Sequence, residues 1–217
     1  MRPKILIFLT LLAVLTSVTV VSSCMKSKEI KRCKLADAEK LLIPYKLGQI
    51  VSFIDSTGTV IAFNVTENKT EWSSDREGSF RSDYMSNEVK KTTLQSESKN
   101  LEISLYISNA NCNPDYYNPS IFDTGWLSIH FQSPSVSVYA VLSTDTRGNF
   151  LFNVSESNST SKHNSMEFNN KVFYEVIEYN NEWKNNDQIT TTQLFYNKTF
   201  GVLQICRNDT VLIIIKN

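Results

Sequence analysis

The sequence lacks any excess of charge, because its 22 lysine and arginine side chains are matched by 22 acidic ones. Proteins that bind nucleic acid usually carry a concentrated basic excess, so this balance argues against such a partner. Glycine is scarce, with 6 residues, whereas the chain holds 26 Ser and 21 Asn, polar residues that favour turns. With 41% hydrophobic and 11% aromatic residues, the chain is too apolar to be disordered. The composition therefore predicts a folded protein that does not bind nucleic acid.

Motifs of known catalytic chemistry are also missing. The sequence contains no HExxH, GxSxG, P-loop, GxGxxG or CxxC motif. Its two histidines, His130 and His163, have no cysteine or carboxylate at metal-ligand spacing, and His163 falls in a polar connector. We therefore expect no metal and no cofactor, and the sequence identifies no catalytic residue.

Four acidic residues are the candidates for the paired carboxylates of a glycoside hydrolase, which lie about 5–10 Å apart. They are Asp83, Glu88, Glu97 and Glu102. All four lie in β-patterned or loop stretches, at positions typical of the solvent-exposed face of a sheet. We therefore prefer a structural interpretation, although a triad whose members are distant in sequence would leave no signal.

The N-terminus carries the strongest signal in the sequence. Arg2 and Lys4 precede seventeen uncharged residues, 5–21, a run shorter than the roughly 20 residues that span a bilayer and typical of a secretory signal peptide. An aliphatic residue, two small residues and a cysteine then end at Cys24, and this order resembles the bacterial lipobox. The resemblance implies cleavage before Cys24 and acylation of its sulfur and new amino group. The alternative is an ordinary signal peptide followed by a chance cysteine.

The lipobox changes the expected relation to the membrane. One acyl chain binds a bilayer only reversibly, at about 0.8 kcal/mol per buried methylene group, whereas two or three chains anchor firmly. We therefore expect the lipid bilayer as a partner through acylated Cys24. Bacterial lipoproteins retained at the inner membrane commonly have Asp after the cysteine; here Met25 follows, which implies the outer membrane. Surface-exported Bacteroidetes lipoproteins carry an acidic cluster there, so the basic stretch here favours the periplasmic face and leaves surface exposure open.

Residues 24–36 are predicted to be a lipidated N-terminus and tether, and residues 37–217 a single β-rich domain. Residues 25–34 hold five basic side chains and one acidic one, which indicates a solvated tether. The alternative is contact with anionic headgroups, which salt would weaken. From residue 35 onward 15 basic residues face 21 acidic ones, so the domain carries a net charge of about −6 at neutral pH.

Three cysteines remain for disulfide formation once Cys24 is acylated. Cys33, Cys112 and Cys206 are an odd number in an oxidising compartment, so at most one intramolecular disulfide can form. A bridge between Cys33 and Cys112 would fix the start of the domain to a loose segment around residues 109–114. Cys206 ends an apolar run and is expected to pack as a small hydrophobic residue.

Along the body the pattern is that of β-strands. One helical turn at residues 37–42 is ended by Pro44. A hairpin follows at residues 50–54 and 60–65, with Gly58 in its turn, and further strands recur about every ten residues. Residues 72–82, 109–124 and 155–164 are predicted to be loops, and residues 150–154 a short strand. The final strand, residues 210–215, is apolar throughout and expected to be buried on both faces. The fold class is therefore all-β, an antiparallel curved sheet or open up-and-down barrel with little helix.

The two ends of this domain resemble small Bacteroidetes lipoproteins of uncharacterised function. These proteins open with a segment like IPYKLGQIVSFIDSTG at residues 43–58 and close with one like FYNKTFGVLQI at residues 195–205. The resemblance implies a hairpin in which Tyr196 is an aromatic strand residue and Gly201 stands where a side chain would crowd. It covers less than half of the chain and implies no activity.

Two further sets of residues are candidates for modification or binding. Ser56 and Thr210 each follow an aspartate. The segments Asp55-Ser56-Thr57 and Asp209-Thr210-Val211 resemble the O-glycan acceptor of secreted Bacteroidetes proteins, in which an acidic residue, a hydroxyl residue and an apolar residue follow one another. Aromatic residues cluster around the long loop at 109–124 and could stack on a ligand or cover the core: Tyr116, Tyr117, Phe122 and Trp126.

Three functions remain open at this point. The first is a non-catalytic, membrane-anchored binding or interaction domain for an apolar ligand, a glycan or an envelope protein. The second is an envelope hydrolase whose carboxylates the sequence does not locate. The third is an adhesin or assembly subunit that pairs through an edge strand such as residues 210–215. We favour binding, because no catalytic constellation emerges.

Overall fold

The computed structural model describes residues 28–74, 83–109, 124–134, 137–145, 147–152, 158–185, 188–207 and 210–215. Twelve strands and one helical turn make up most of these residues, which confirms the all-β class. The strands are β1 (Lys28–Cys33), β2 (Ile50–Asp55), β3 (Val60–Ser74), β4 (Asp83–Ser96), β5 (Leu101–Asn109), β6 (Thr124–Gln132), β7 (Ser137–Asp145), β8 (Asn158–Phe168), β9 (Lys171–Asn185), β10 (Gln188–Asn197), β11 (Gly201–Arg207) and β12 (Thr210–Ile215). The helical turn, α1, is Asp37–Lys40, as predicted. Among the described residues, no helix is both long and apolar enough to cross a bilayer.

Eleven of the strands form one antiparallel sheet that curves into a nearly closed barrel. From β2 to β7 each strand pairs with the next along the chain, and the same holds from β8 to β12. The two series are joined because β12 pairs with β2. β2 and β12, the first and last strands of the barrel in chain order, are therefore neighbours, as in the up-and-down barrel that the sequence predicts.

The ring is open between β7 and β8, and its eleven strands cannot alternate in direction all the way round. Every neighbouring pair along the sheet is antiparallel. A closed ring of this kind needs an even number of strands, so the two end strands, β7 and β8, run in the same direction. Parallel strands cannot be joined by a tight hairpin, and the chain between them has to travel back along the barrel. The gap is narrowed where β7 approaches β9.

The connection that leaves β7 begins as a tight turn. The Asp145 carboxylate accepts hydrogen bonds from the backbone N–H groups of Arg147 and Asn149, at 2.9 and 2.7 Å. Phe150 then forms an antiparallel bridge with Thr144, so the chain turns back along β7. It has to do so because β8 runs in the same direction as β7 and therefore begins at the other end of the barrel. Within the described residues, the strand predicted at 150–154 is only this one bridge.

Much of the barrel core is built by alternation of buried and more exposed residues, whereas successive residues are buried in parts of β10 and β11. In β3 the buried side chains are Ile61, Phe63 and Val65, separated by exposed residues. The same alternation in β5 to β7 buries a further set of aliphatic and aromatic side chains: Ile103, Leu105, Ile107, Leu127, Ile129, Phe131, Val138, Ala140 and Leu142. Because side chains of a strand alternate between its faces, one face of each strand lines the core. His130 takes the opposite face from Ile129, as predicted, and bonds Ser137 Oγ at 2.9 Å.

Strands β3 and β4 continue beyond the barrel as an arm, which comprises residues 68–74 of β3 and 83–88 of β4. This part of β4 lies past the end of β5, whose pairing with β4 stops at Val89. β1 takes the vacant side of β4, in parallel orientation. The Arg32 guanidinium also lies 4.2 Å from the ring centre of Trp72. The loop predicted at 72–82 is therefore wrong for residues 72–74; residues 75–82 lie outside the described part.

The predicted boundary between tether and domain is corrected by β1. Residues 28–33 form a strand paired with β4, and both Cys33 and Leu35 are buried. Backbone pairing, which the basic side chains of this stretch do not prevent, orders the segment because β4 offers an open edge. Residues 28–36 therefore belong to the folded domain, and residues 24–27 lie outside the described residues.

Two predictions about the last third of the chain are also wrong. Residues 158–164, predicted to be a polar connector, are the first part of β8, so His163 lies on a strand opposite Val176. The last strand, β12, is not an edge, because β11 and β2 pair with its two sides. Its side chains Leu212 and Ile214 are buried, whereas Val211 and Ile213 are half-buried, so only one face is fully covered.

Candidate binding site at the plugged end of the barrel

Residues 35–46, which we call the plug, cross one end of the barrel before β2 begins. The plug contacts β3 and β4 on one side of the ring and β10 and β11 on the other. Five of its side chains are buried with the core or beside it: Leu35, Glu39, Leu42, Ile43 and Tyr45. The plug therefore closes the end of the barrel from which the arm extends.

Charged side chains of β4 hold the plug on the first side. Glu88, only 7% exposed, accepts hydrogen bonds from the Leu35 N–H and the Lys40 ammonium, each at 2.9 Å. Lys90 donates to the backbone carbonyls of Lys40 and Ile43 at 2.7 and 2.9 Å. Burial lowers the pKa of the Lys90 ammonium, and the charge of Lys40 lowers it further. Both charged groups of β4 thus serve plug atoms that would otherwise be unpaired.

Two tyrosines hold the plug on the second side. The Tyr45 hydroxyl accepts a hydrogen bond from the Val202 N–H at 2.7 Å, and the Tyr196 hydroxyl donates to the Leu42 carbonyl. Both rings are almost fully buried, and burial raises the pKa of each phenol. Gly201 has φ of +80° and lies against the Tyr45 ring, so a side chain would overlap it. The crowding expected at Gly201 is confirmed, and the residue that crowds it belongs to the plug.

A buried carboxyl group lies beneath the plug. Glu39 is fully buried; its Oε2 accepts a hydrogen bond from the Ala36 N–H at 2.7 Å, while Oε1 has no partner among the described residues. Oε1 and the Thr144 hydroxyl both face Gly125, where a Cβ atom would lie 2.8 Å from the first and 2.9 Å from the second. Burial raises the pKa of Glu39, the Ala36 bond opposes this, and the Asp145 charge adds to it. Gly125 therefore leaves the space that this carboxyl group fills.

A pocket of about 680 Å³ opens between the plug, the arm and the two neighbouring turns. The Asn68 side chain, which donates to the Tyr45 carbonyl at 2.7 Å, forms part of its wall. Leu41 lines the pocket, and its side chain is 74% exposed. Its neighbours in the chain, Lys40 and Leu42, are held by hydrogen bonds to the barrel. The other lining residues are Ala38, Leu42, Ile43, Pro44, Tyr45, Lys46, Lys90, Arg147, Gly148 and Lys198.

Two other described pockets are smaller and more polar in composition. One, of about 360 Å³, lies at the opposite end of the barrel and is lined by Gln95, Ser96, Glu97, Asn100, Leu101, Glu102, Gln132, Ser133 and Pro134. The other, of about 270 Å³, lies beside the connection after β7 and is lined by Asn149, Phe150, Phe152, Lys162, Glu175, Ile177 and Lys198. The pocket at the plug is the one whose wall combines a continuous apolar segment with converging polar groups.

A histidine, a serine and a carboxylate do come together, on β8 and β9. His163 Nε2 lies 2.5 Å from Glu178 Oε2 and 3.4 Å from Ser161 Oγ. A Ser-His-carboxylate triad needs the serine and the carboxylate on different ring nitrogens, whereas here both contact Nε2. Burial raises the pKa of Glu178, but hydrogen bonds from Asn180, His163 and Gln193 together bring it below its ordinary value. The cluster is therefore a cross-strand hydrogen-bond cluster rather than a nucleophilic site.

Two of the acidic residues singled out from the sequence, Glu88 and Glu102, lie too far apart for a hydrolase pair. Glu88 is buried and ion-paired, which corrects its predicted solvent position. Glu102 pairs with Gln95 of β4. Gln95 lies seven residues after Glu88 on that strand, so Glu88 and Glu102 are about 23 Å apart at 3.3 Å per residue. That separation far exceeds the spacing of catalytic carboxylates. Glu97 is exposed and the Asp83 side chain is not described. In the described part of the chain, no group of His, Cys, Asp or Glu could hold a metal ion.

The structure places the other predicted residues unevenly. Cys33 is disulfide-bonded to a cysteine outside the described residues, and Cys206 is a free, half-buried thiol. The pairing of Cys33 with Cys112 stays a prediction. Cys24, Cys112, Tyr116, Tyr117 and Phe122 lie outside the described residues, as do residues 110–123 of the loop predicted at 109–124, whose first and last residues belong to β5 and β6.

Three further predicted residues lie in regular structure or in a turn. Trp126 is half-buried in β6. Ser56 lies exposed in the β2–β3 turn, where the Asp55 carboxylate accepts bonds from the backbone N–H groups of Thr57 and Thr59, both at 2.9 Å. Thr210 begins β12, and its side chain is not described. Neither O-glycosylation site is tested.

Sequence reasoning missed the plug. Its signal is the run Leu41-Leu42-Ile43-Pro44-Tyr45, which is apolar but too short and too close to proline to form a regular element. The predicted turn α1 and the crowded Gly201 each pointed to part of it. The contact that joins them, between Tyr45 and the β10–β11 hairpin, links residues more than 150 positions apart and leaves no local pattern.

The fold and the site together define an antiparallel β-barrel with one end closed by its own N-terminal segment and a ligand-sized pocket beside that closure. Compared with models of known families, with curated protein sequences and with solved structures, the chain matches none of them.

Proposed function

We propose that this chain is a lipoprotein of the bacterial outer membrane, anchored through acylated Cys24, whose barrel domain binds an apolar ligand without catalysis. The observation that carries the proposal is the pocket beside the plug. Its volume of about 680 Å³ lies within the range of about 300–1,000 Å³ typical of small-molecule sites. Leu41, Pro44 and Tyr45 supply apolar wall, and Asn68 a polar group.

Two charged groups of β4 that contact the plug, Glu88 and Lys90, have structural partners, which supports binding rather than catalysis. Glu88 is ion-paired to Lys40, and the Lys90 ammonium is engaged by two backbone carbonyls. A general acid or base must be able to reach a substrate proton, and these two groups are occupied in holding the plug. Their structural role explains why charged side chains lie at this depth.

The pocket lies at the end of the barrel nearest Cys24 in the chain, which is consistent with an anchor at that residue. β1 starts at Lys28, four residues after Cys24, runs along the arm, and leads directly into the plug. Cys33 follows Cys24 by nine positions, so even a fully extended chain places the lipid within about 32 Å of Cys33, at the end of β1 that leads into the plug. Acylation at Cys24 would therefore hold the plugged end, with its pocket, towards the bilayer.

The anchor is tested by replacing Cys24 with alanine. We expect the variant to incorporate no labelled fatty acid and to accumulate as unprocessed precursor, because the sulfur that receives the diacylglycerol is gone. Cys206→Ala is the matched control, since it removes another thiol and should be labelled normally. Metabolic labelling followed by electrophoresis measures both. Normal labelling of the Cys24 variant would overturn the lipoprotein proposal.

The pocket is tested by photolabelling of the full chain in phosphatidylcholine vesicles, using a long-chain alcohol that carries a photoreactive diazirine. We expect the label on residues 41–46, mapped by mass spectrometry. Leu41→Asp should lower this labelling about fivefold, because a charge in the wall opposes burial of an apolar chain. Leu47→Asp is the control, since Leu47 is 67% exposed at the same end and does not line the pocket. Equal labelling of both variants would argue against the pocket.

A further inference from the structure

The pocket beside the plug is positively charged, in contrast to the domain around it. Its twelve lining residues include four basic ones and no acidic one: Lys46, Lys90, Arg147 and Lys198. From residue 35 onward the chain has 15 basic and 21 acidic residues, so an average surface would show more acids than bases. The net charge of the pocket lining is therefore positive, whereas the net charge of the domain is negative.

The four cations come from separate parts of the chain and converge only through the fold. Lys46 ends the plug, Arg147 lies in the turn after β7, and Lys198 lies in the β10–β11 turn; all three are exposed. Lys90 is committed to two plug carbonyls. Lys198 also contacts the Phe150 ring, with its Nζ 5.6 Å from the ring centre, and contributes a small part to the lowered pKa of Glu175, whose main partner is Lys162. The rim thus presents Lys46 and Arg147 most directly, with Lys198 beside them.

We propose that this pocket binds an anionic amphiphile, a molecule with one long apolar chain and a phosphate or carboxylate head. The inference rests on the proposed binding function and adds the chemical class of the ligand. The apolar chain lies against Leu41 and Pro44, and the head lies at the rim between Lys46, Arg147 and Lys198. An arginine beside lysines suits such a head, because the guanidinium can donate two parallel hydrogen bonds to phosphate or carboxylate oxygens.

Both halves of the ligand follow from the pocket wall. A small inorganic anion would use the rim and leave the apolar wall, including the 74% exposed Leu41, in water. A neutral apolar molecule would use the wall and leave the rim cations without a counter-charge inside the pocket, which costs electrostatic energy in a partly enclosed site. Outside the lining residues, Asp145 interacts with Arg147 and Glu175 with Lys198. Only a ligand with both parts covers the apolar surface and compensates the charge.

The test compares two diazirine probes with the same alkyl chain, an alkyl phosphate and the corresponding alcohol, on the full chain in phosphatidylcholine vesicles. At neutral pH the phosphate is anionic and the alcohol is neutral. We expect the phosphate to label residues 41–46 about tenfold more efficiently than the alcohol, a difference of about 1.4 kcal/mol. Lys46→Gln with Arg147→Gln should remove this preference and leave labelling by the alcohol unchanged.

Two controls separate pocket charge from total charge and from folding. Lys99→Gln makes the same charge change as either single substitution, Lys46→Gln or Arg147→Gln, but in the β4–β5 turn at the other end of the barrel, and should leave the preference intact. Arg147→Lys keeps the charge and should retain most of it. Labelling in the presence of excess inorganic phosphate should fall little, because the free anion lacks the apolar chain.

The outcomes of this experiment are distinct. Equal labelling of the pocket by both probes, or a preference that survives the double substitution, would overturn the anionic ligand while leaving the apolar binding site in place. Competition by inorganic phosphate as strong as that by the alkyl phosphate would overturn the amphiphile. No labelling of residues 41–46 by either probe would overturn both the inference and the proposed function.

Discussion

Replacing Gly201 with alanine is expected to destabilise the protein by about 3–5 kcal/mol, because two costs coincide at this position. The backbone there has φ of +80°, a conformation that alanine adopts only with strain. Its Cβ atom would also overlap the Tyr45 hydroxyl and ring, with Cε2 only 2.8 Å away. The buried ring would have to move, and its hydrogen bond from the Val202 N–H would be lost.

Gly58→Ala isolates the first of these costs, the backbone strain. Gly58 has nearly the same φ, +84°, but no atom lies within 4 Å of the position that a Cβ would take. We therefore expect this variant to lose only about 1 kcal/mol, the cost of backbone strain. Urea unfolding followed by tryptophan fluorescence measures both free energies. Equal losses in the two variants would show that the Tyr45 contact contributes nothing.

Replacing Glu88 with alanine is expected to cost about 2–4 kcal/mol, because the change leaves a buried N–H group and a partly buried ammonium without their carboxylate. The Leu35 N–H and the Lys40 ammonium both bond this carboxylate at 2.9 Å, and the Glu88 side chain is only 9% exposed. The Leu35 N–H is buried and loses its partner outright, whereas the Lys40 side chain is 24% exposed and is only partly compensated by water. The plug should also become easier to cut by trypsin at Lys40, which limited proteolysis would show.

The control for Glu88 is Glu67, which also pairs with lysines on the same sheet. Glu67 lies 2.9 Å from Lys69 and 2.8 Å from Lys91, and these contacts lower its pKa to about 2, but its side chain is 27% exposed. Solvent screens such a pair, so Glu67→Ala should cost about 1 kcal/mol or less. Adding Lys40→Ala to Glu88→Ala should restore part of the loss, because no ammonium is then left unpaired. A double variant less stable than Glu88→Ala alone would contradict this explanation.

Both stability predictions concern the plug, and this has a consequence for the pocket. Leu41 and Lys46 keep their positions only while Glu88, Lys90, Tyr45 and Tyr196 hold the segment around them. Variants that loosen the plug should therefore weaken photolabelling of residues 41–46 even though they do not touch a ligand. Leu41→Asp, in contrast, should weaken labelling with little loss of stability, because the side chain is exposed.

The parts of the fold that the sequence predicts are those encoded by neighbours in the chain. The β2–β3 hairpin follows from alternation on both sides of a turn in which Asp55 caps the backbone and Gly58 takes a positive φ. The strand β5 follows from the alternation of Ile103, Leu105 and Ile107 with more polar residues. In these segments the hydrophobic pattern and the turn chemistry point to the same structure, and the prediction is confirmed.

The segments that the sequence misassigned are those in which pairing does not depend on side chains. β8, with the sequence NSTSKHNSMEF, has almost no apolar alternation, and it is a strand because β9 offers a hydrogen-bonding partner. β1 is likewise ordered by the open side of β4. Backbone hydrogen bonds carry these strands, and a side-chain pattern cannot report them.

By itself the sequence determined the all-β class, the short strands separated by polar turns, and the strand–turn signals of the two ends, because each depends on residues close together in the chain. The tertiary structure decided that the barrel opens between β7 and β8, since this follows from the pairing of β12 with β2, which are distant in the chain. It also decided that residues 35–46 form a plug, and that lysines and an arginine more than a hundred residues apart surround one pocket. These features rest on contacts between distant segments, whose free energy becomes available only after the sheet has formed.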